Sequence, residues 1–443
     1  MTYQDMYKKK LTTIEHVYEM LEDGEYISII NNSAEPQTFL KRLHEAQGKV
    51  KGLCVQMGNI TFTPKFFEPE YSELAHVEST FFGRNYSPLQ TQGRSAYVPV
   101  HLRNSAKDVI YHLKRINRPI RRMVVSVSPM DKHGYFSTAT NGLAPRMWQK
   151  YADEIIVEVN EACPRTFGDT HLHISEVTAI YNSDEKTIFY AQKPNPSEID
   201  RQIGRAIAEM VNDGDTIQLG IGGIPSACAM ELAHKKDLGI HTEMFNDGLM
   251  YLCECGAVTN RRKNYFRNKI VTSFSAGTKE LFDYVDNNMN ILHLAVAYVN
   301  LPEVVSRNDN FVSVNTTLQV DLMGQCCSEA IQTRQISGTG GQTETIIGAK
   351  ESKGGRSIIA LHSTRDIKQP DGSKKRISNI QSIHPEGAVV SLSRNDVDFV
   401  CTEYGIAALR GATLRERARA LISVAHPDYR AQLEEDAKRL WLL

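Results

Sequence analysis

Two short stretches hold residue types that could do chemistry, a glycine loop suited to binding an anion and a carboxylate at the end of a strand. The first is Gly220-Ile221-Gly222-Gly223-Ile224-Pro225, which lies between a strand-forming run, Thr216–Leu219, and an apolar helical pattern. Glycines there let the backbone approach a ligand closely, and proline suits a first helical turn. Backbone N–H groups and the helix dipole at such a place favour an anion or a developing oxyanion. A dinucleotide fingerprint would need a third glycine where this chain has Pro225, and a purely structural tight turn is the alternative reading. The second stretch is Gly239-Ile-His-Thr-Glu243-Met-Phe-Asn-Asp-Gly248. It reads as a strand ending in an Asn-Asp-Gly turn, with Glu243 near the carboxyl end. Ligands of open α/β sheets bind along that edge. A carboxylate there is a candidate functional group because of the neighbouring glycine loop, with a solvated surface side chain as the plainer alternative. Glu403, in Thr402-Glu-Tyr-Gly405, holds a similar strand-end place and competes with it. Glu158 has the matching position in the plainer first half, which favours a structural role for both.

Other chemistries find less support. The chain has no Gly-x-Ser-x-Gly elbow and no phosphate loop, and no cysteine sits beside a glycine-rich loop at a recognisable distance from histidine. Cys253-x-Cys255 and the vicinal Cys326–Cys327 fit no usual zinc spacing. His171-x-His173, at strand spacing, shares one face but lacks a third ligand. No metal is expected.

The elements that position these residues are duplicated. Met20-Leu-Glu-Asp-Gly-Glu-Tyr-Ile-Ser-Ile-Ile30 matches Met210-Val-Asn-Asp-Gly-Asp-Thr-Ile-Gln-Leu-Gly220 at an offset of 190, each reading as a helix end, an Asp-Gly turn and a buried strand. The offset returns downstream, where Asp131 and Gly134 correspond to Asp321 and Gly324. A third match, Glu158 with Glu403, is displaced by 245 and implies added residues in the second copy, including the glycine clusters Ser337–Gly341 and Lys353–Gly355. Short Val- and Ile-rich runs alternate with amphipathic helical stretches. The expected fold is therefore α/β: two tandem duplicated open α/β/α domains, over residues 1–192 and 201–443, joined by a linker at 193–200. Ser197 is placed to cap the helix that follows, and Thr413-Leu-Arg-Glu416 reads as a capping box near the end of the chain.

Composition excludes several partners. The 443 residues carry 51 basic and 52 acidic side chains, a formal net charge of −1, so neither nucleic acid nor an anionic membrane is an expected partner. The N-terminus shows no apolar signal core and no run is long enough to span a membrane, which points to a cytoplasmic protein with free thiols.

At these residues the chain resembles the family I CoA-transferases, in the branch of 4-hydroxybutyrate and butyryl-CoA:acetate CoA-transferases and acetyl-CoA hydrolases. The likeness covers nearly the whole chain. It runs through Ser128–Gly134, Glu158–Asn160, Pro164–Thr166, Gly220–Pro225, His241-Thr-Glu-Met-Phe245, Tyr284–Asn288, Ser337–Gln342, Thr402–Ala407 and Ala425-His-Pro427. The resemblance implies an active site in the cleft between the two domains, with Glu243 as nucleophile. It implies CoA contacts from Gly220, Ile221, Gly222, Gly223 and Ile224, from Gly340 and Gly341, and from Asn315 and Lys353. Acyl-CoA and a short-chain carboxylate are the implied substrates, exchanged by ping-pong kinetics through a glutamyl-CoA thioester without a tightly bound cofactor, in a homodimer or homotetramer. Gln56–Asn59 and the loop near Ser33 are first-domain candidates for an acyl pocket. Many relatives follow Gly-Gly-Gln with an Asp-Phe-type pair, whereas this chain reads Gly341-Gln-Thr-Glu344-Thr345. A more polar wall there fits an acid such as itaconate or succinate, with butyrate the simpler alternative. An acyl-CoA (acetyl-CoA) hydrolase is the runner-up. A non-catalytic module sensing a CoA ester or sugar phosphate is the alternative of another class, and no basic helix-turn-helix pattern accompanies it.

Overall fold

The structure, a computed structural model, describes residues 2–30, 35–188, 190–192, 195–369 and 371–443. The chain forms two compact units: Met1–Gln192 with Glu243–Phe245 and Val271–Val299, and Lys193–Thr242 with Asn246–Ile270 and Asn300–Leu443.

The first unit is built on seven strands: β1 (Tyr26–Ile30), β2 (Leu53–Gln56), β3 (Ala75–Ser79), β4 (Ser95–Tyr97), β5 (Ile120–Val127), β6 (Ala152–Val159) and β7 (Ala179–Asn182). Their order is β7-β6-β5-β1-β2-β3-β4, and neighbours pair in parallel. All five residues of β1 are buried, as expected of a central strand covered on both faces. Alternation divides them. Ile27 and Ile29 join Val55, Val77 and Val124 in a cluster completed by Phe39 and Leu40 of α1 (Gln37–Arg42). Tyr26 and Ile30 join Cys54, Met123 and Val125 on the other face, under Val109, Ile110 and Leu113 of α2 (Ser105–Arg115). The later segments of this unit are tied in by backbone bonds, from Asn287 N–H to Arg165 O at 2.8 Å and from Gly142 N–H to Ser273 O at 2.8 Å.

The second unit carries α3 (Glu198–Glu209), β8 (Thr216–Leu219), α4 (Gly223–Glu231) and β9 (Gly239–Phe245), whose first four residues belong here. These are followed by α5 (Asp247–Glu254), β10 (Phe311–Thr316), α6 (Gln342–Glu351), β11 (Arg356–Ala360), β12 (Phe399–Thr402) and β13 (Gly405–Ala408). The strand order is β13-β12-β11-β10-β8-β9, parallel throughout except for the β13 edge. Strands β12-β11-β10-β8-β9 thus repeat the order β7-β6-β5-β1-β2.

The duplication extends to single hydrogen bonds. Gly24 and Gly214, both at positive φ, turn the chain into β1 and β8, and Asp23 and Asp213 accept the backbone N–H of Lys51 and Lys236 at 2.9 and 2.8 Å. Glu25 and Asp215 accept those of Glu22 and Asn212, at 3.2 and 2.6 Å.

The structure corrects three expectations. Glu158 ends β6, but Glu403 follows β12, which holds the sheet position of β7. The match at offset 245 therefore pairs non-equivalent strands, and the added residues are divided between the connections before and after β11. The linker expected at 193–200 ends early, because Ser197 caps α3 and its helical turns begin at Glu198. Asn246-Asp-Gly248 is a helix start, not a turn: the Asn246 side chain caps α5 through Leu249 N–H.

Candidate active site

The glycine loop sits where β8 hands over to α4, at the carboxyl edge of the second unit's sheet. Gly220 N–H donates to Val314 O at 3.0 Å, which seats the loop on β10. Asn246 donates its side-chain amide to Gly220 O at 3.2 Å. Ile221 is 59% exposed. Gly222 is the N-cap, at φ 112° and ψ −171°, a conformation that disfavours any side chain. Gly223 begins α4 and Ile224 is buried within it. The first N–H groups of a helix have no intrahelical partner, so this end is a ready anion site. A Cβ at Gly223 would stand 2.6 Å from Asp200 Oδ2. Asp200 Oδ1 takes a hydrogen bond from His362 Nε2 at 2.8 Å, and Oδ2 takes bonds from Ser197 N–H and Oγ at 2.8 and 2.7 Å. Burial alone would raise this carboxyl, but the bonds from His362 and Ser197 outweigh it and hold Asp200 below its ordinary range.

Asn315, near the end of β10, joins the loop. A Cβ at Gly220 would lie 3.9 Å from its Cα. Its Nδ2 lies 2.9 Å from Ser313 Oγ and 3.2 Å from both Gln218 Oε1 and Thr345 Oγ1. Gly341 is the N-cap of α6, and Gly340, at φ 60°, precedes it. Thr345 N–H returns to Gly341 O at 3.0 Å. Gly220–Ile224, Asn315, Gly340 and Gly341 therefore gather at one edge of the second unit. Lys353 does not. It follows the far end of α6, a ten-residue helix about 15 Å long, and is exposed where the chain enters β11. Lys353 therefore stands apart from the residues gathered at that edge. Glu344 also departs from expectation. It is buried and accepts from Asn300 Nδ2 at 3.1 Å, while Thr345 Oγ1 joins the Asn315 network.

Glu243 lies on β9, whose Gly239 and Ile240 pair with Thr216 and Ile217 of β8. It is half-buried, and with Met244 and Phe245 it belongs to the first unit. Its carbonyl accepts from Thr272 Oγ1 at 3.1 Å. Phe245 follows on the same strand, stacked 6.2 Å from Tyr284. Glu403 is held by Ser363, whose N–H and Oγ donate at 3.0 and 2.5 Å. Glu158 is fully buried and accepts from Thr38 and Phe39 N–H at 3.3 and 3.2 Å, capping α1. Both have structural duties. Gln56 is buried and accepts from Ser28 Oγ at 3.0 Å, whereas Ser33 lies outside the described residues.

Among the described residues, Cys54, His76 and Glu78 bring three ligand-type atoms within 4.8 Å of one another. Burial and the Glu78 charge push the Cys54 thiol up, and the Arg118 guanidinium beside it already supplies a cation. His171 and His173 are engaged by Gly168 O and Ser175 Oγ at 3.0 and 2.7 Å. The Asp200–His362 pair escaped the sequence reading, since its members are far apart in the chain; the capping-type spacing Ser197-x-x-Asp200 was the available signal.

Comparison with known proteins bears on this arrangement. The family model for the acetyl-CoA hydrolase/transferase N-terminal domain matches residues 1–190, and that for the C-terminal domain matches residues 277–437. The chain is 38% identical over 443 residues to the 4-hydroxybutyrate coenzyme A transferase of Clostridium kluyveri, covering 99% of this chain and 100% of that one. It is 36% identical to the succinyl-CoA:cyclohexane-1-carboxylate CoA transferase of Geobacter metallireducens, over 99% of this chain and 97% of that one. The crystal structure of RipA from Yersinia pestis superposes with a TM-score of 0.89 at 32% identity, over the whole of both chains. Fungal relatives named acetyl-CoA hydrolase are more distant, at 24% to 26% identity.

Proposed function

The chain belongs to the acetyl-CoA hydrolase/transferase family and is a CoA-transferase, and from that premise we propose that Glu243 is the nucleophile of a ping-pong exchange between an acyl-CoA and a short-chain carboxylate. The observation that carries the proposal is the course of β9. Glu243 lies near the carboxyl end of β9, the next strand in the chain after β8 and the glycine loop at the N-terminus of α4.

The Glu243 carboxylate adds to the thioester carbonyl of the donor, forming a tetrahedral oxyanion. The C–S bond breaks, giving CoA thiolate and an acyl-glutamyl anhydride. The thiolate then adds to the glutamyl carbonyl and expels the donor acid as its carboxylate, leaving a glutamyl-CoA thioester. The acceptor carboxylate repeats these steps in reverse, and one thioester replaces another with no change of oxidation state. Backbone N–H groups of the Gly220–Ile224 loop donate to the oxyanions, each worth about 3 kcal/mol in the transition state. Gly340, Gly341 and Asn315 stand beside that loop and contribute contacts to CoA. Water must be kept from both intermediates, which separates a transferase from a hydrolase. Relatives named for 4-hydroxybutyrate, butyrate, acetate and succinate support a short-chain or small dicarboxylic substrate, and itaconate belongs to the same chemical class as succinate. We take the enzyme to act as a cytoplasmic homo-oligomer without a tightly bound cofactor.

Peptide mass mapping after incubation with acetyl-CoA or butyryl-CoA, with no acceptor acid, tests the assignment. CoA or an acyl group on the peptide holding Glu243, absent from Glu243→Gln, is the expected result. Thioester consumption with Glu243 unmodified would reject it. Release of free thiol without acceptor measures hydrolase activity in the same sample.

A further inference from the structure

Three segments of the second unit converge on one carboxylate. Asp200 belongs to the first turn of α3, Gly223 begins α4, and His362 follows the end of β11. Ser197 with Asp200 completes a capping box, which already satisfies the start of α3. The bond from His362 is additional to that role, because it ties the loop after β11 to the same carboxyl. His362 is itself anchored, its carbonyl accepting from Asn379 Nδ2 at 2.9 Å. The plane of the carboxylate lies against Gly223, where an added Cβ would meet Oδ2, Cγ and Oδ1 at 2.6, 2.9 and 3.0 Å. Glycine at this position lets α4 seat its first turn directly on Asp200.

We propose that Asp200 and His362 form a positioning pair that fixes the Gly220–Ile224 loop in the geometry needed to stabilise the transition state. The inference rests on the reading of that loop as the oxyanion site, and it does not depend on the identity of the nucleophile. With Asp200 ionised, His362 Nε2 must carry the proton it donates. The pair then braces the loop from beneath, leaving the backbone N–H groups of the first turn of α4 free to face a ligand. Oxyanion donors act through preorganised geometry, so small displacements of the loop lower the rate of the chemical step more than they weaken binding of the acyl-CoA. Asp200→Asn removes the charge and replaces one of the two accepting oxygens by an N–H donor, so the charge-assisted bond from either Ser197 or His362 is lost. A glutamine at 362 keeps an N–H donor near the Nε2 position, and an alanine removes it.

The test is steady-state CoA transfer by His362→Ala, His362→Gln, Asp200→Asn and the double variant Asp200→Asn/His362→Ala, with thermal midpoints recorded alongside. His362 is partly exposed, with 39% side-chain accessibility, and its alanine variant is expected to fold. His362→Ala should lower kcat about tenfold with KM for acyl-CoA within about twofold of the parent, and His362→Gln should recover most of the loss. The double variant should be no slower than Asp200→Asn alone, since the two groups act as one unit. Unchanged kcat in His362→Ala would overturn the proposal, as would additive losses in the double variant. Mass mapping of Glu243 in the parent reports separately on the nucleophile, so failure of that assignment would not be mistaken for failure of the pair.

Discussion

Asp131 and Asp321 make the same pair of hydrogen bonds 190 positions apart: Asp131 Oδ1 accepts from His133 and Tyr135 N–H at 2.9 and 2.9 Å, and Asp321 Oδ1 from Met323 and Gln325 N–H at 3.0 and 2.9 Å. The two differ in setting. Asp321 is fully buried and also accepts from Gln325 Nε2 at 2.7 Å, whereas Asp131 is partly exposed. Asp321→Ala should therefore cost about 3 kcal/mol and Asp131→Ala about 1 kcal/mol, because orphaned N–H groups are dearer where water cannot reach them. Urea unfolding of both variants checks the order; equal losses would show that burial does not set the difference.

The position of Lys353 at the far end of α6 carries a kinetic expectation. Lys353→Ala should leave KM for acyl-CoA within about twofold of the parent, since an exposed side chain remote from the glycine loop has no uniform binding energy to lose there. A tenfold rise in KM would return Lys353 to the CoA site.

Lys263 gives a pH dependence to stability. It is 3% exposed and donates to Ile240 O and Lys269 O, both at 2.8 Å, and burial lowers its ammonium to about 7. The unfolded chain holds that proton up to about 10.4. Between these limits the unfolded state binds more protons, so stability rises with pH and is lost again as pH falls towards 7. The change amounts to at most on the order of 5 kcal/mol. Lys263→Met should flatten the slope of unfolding free energy between pH 7 and 10 relative to the parent; an unchanged slope would assign it to other groups.

Glu35 works in the opposite direction. It is 3% exposed, and burial, offset in part by a bond from Thr61 N–H at 3.3 Å, pushes its carboxyl up to about 8. Its contribution is fully present below the unfolded value of about 4.3 and is lost as pH rises through 8. Glu35→Gln keeps the shape without the ionisation. The variant should match the parent near pH 5 and exceed its thermal midpoint near pH 9, and parity at pH 9 would show that the carboxylate is not penalised.

What was legible in the sequence was local or strictly repeated. The Asp-Gly turns at 23–24 and 213–214 announce themselves because turn chemistry is set by few residues, and a constant offset exposes the second copy. Gly220–Pro225 was legible as a strand-to-helix loop for the same reason. Asn246 was misread, because Asn-Asp-Gly suits a turn and a helix cap equally and only the chain that follows decides. The pairing of Glu158 with Glu403 failed since sheet position depends on neighbours that sequence order does not reveal. Glu344 and Thr345 are adjacent yet face Asn300 and Asn315 respectively, a division made by the 100° step of α6 and by what packs around it. The meeting of Asp200 with His362 is a tertiary event that no spacing encodes.

The allocation of Glu243–Phe245 and Val271–Val299 to the first unit has a consequence for biosynthesis. A chain grows from its N-terminus, and proteins of this size commonly fold one domain at a time as each emerges. Here the unit begun by the first residues receives its last strand-forming segment, Ile291–His293, only after β8, α4 and β9 have been made. The seven-stranded sheet of this unit is encoded by residue 182, but the full unit is complete only once Val271–Val299 has been made, well past the point where the internal repeat begins again.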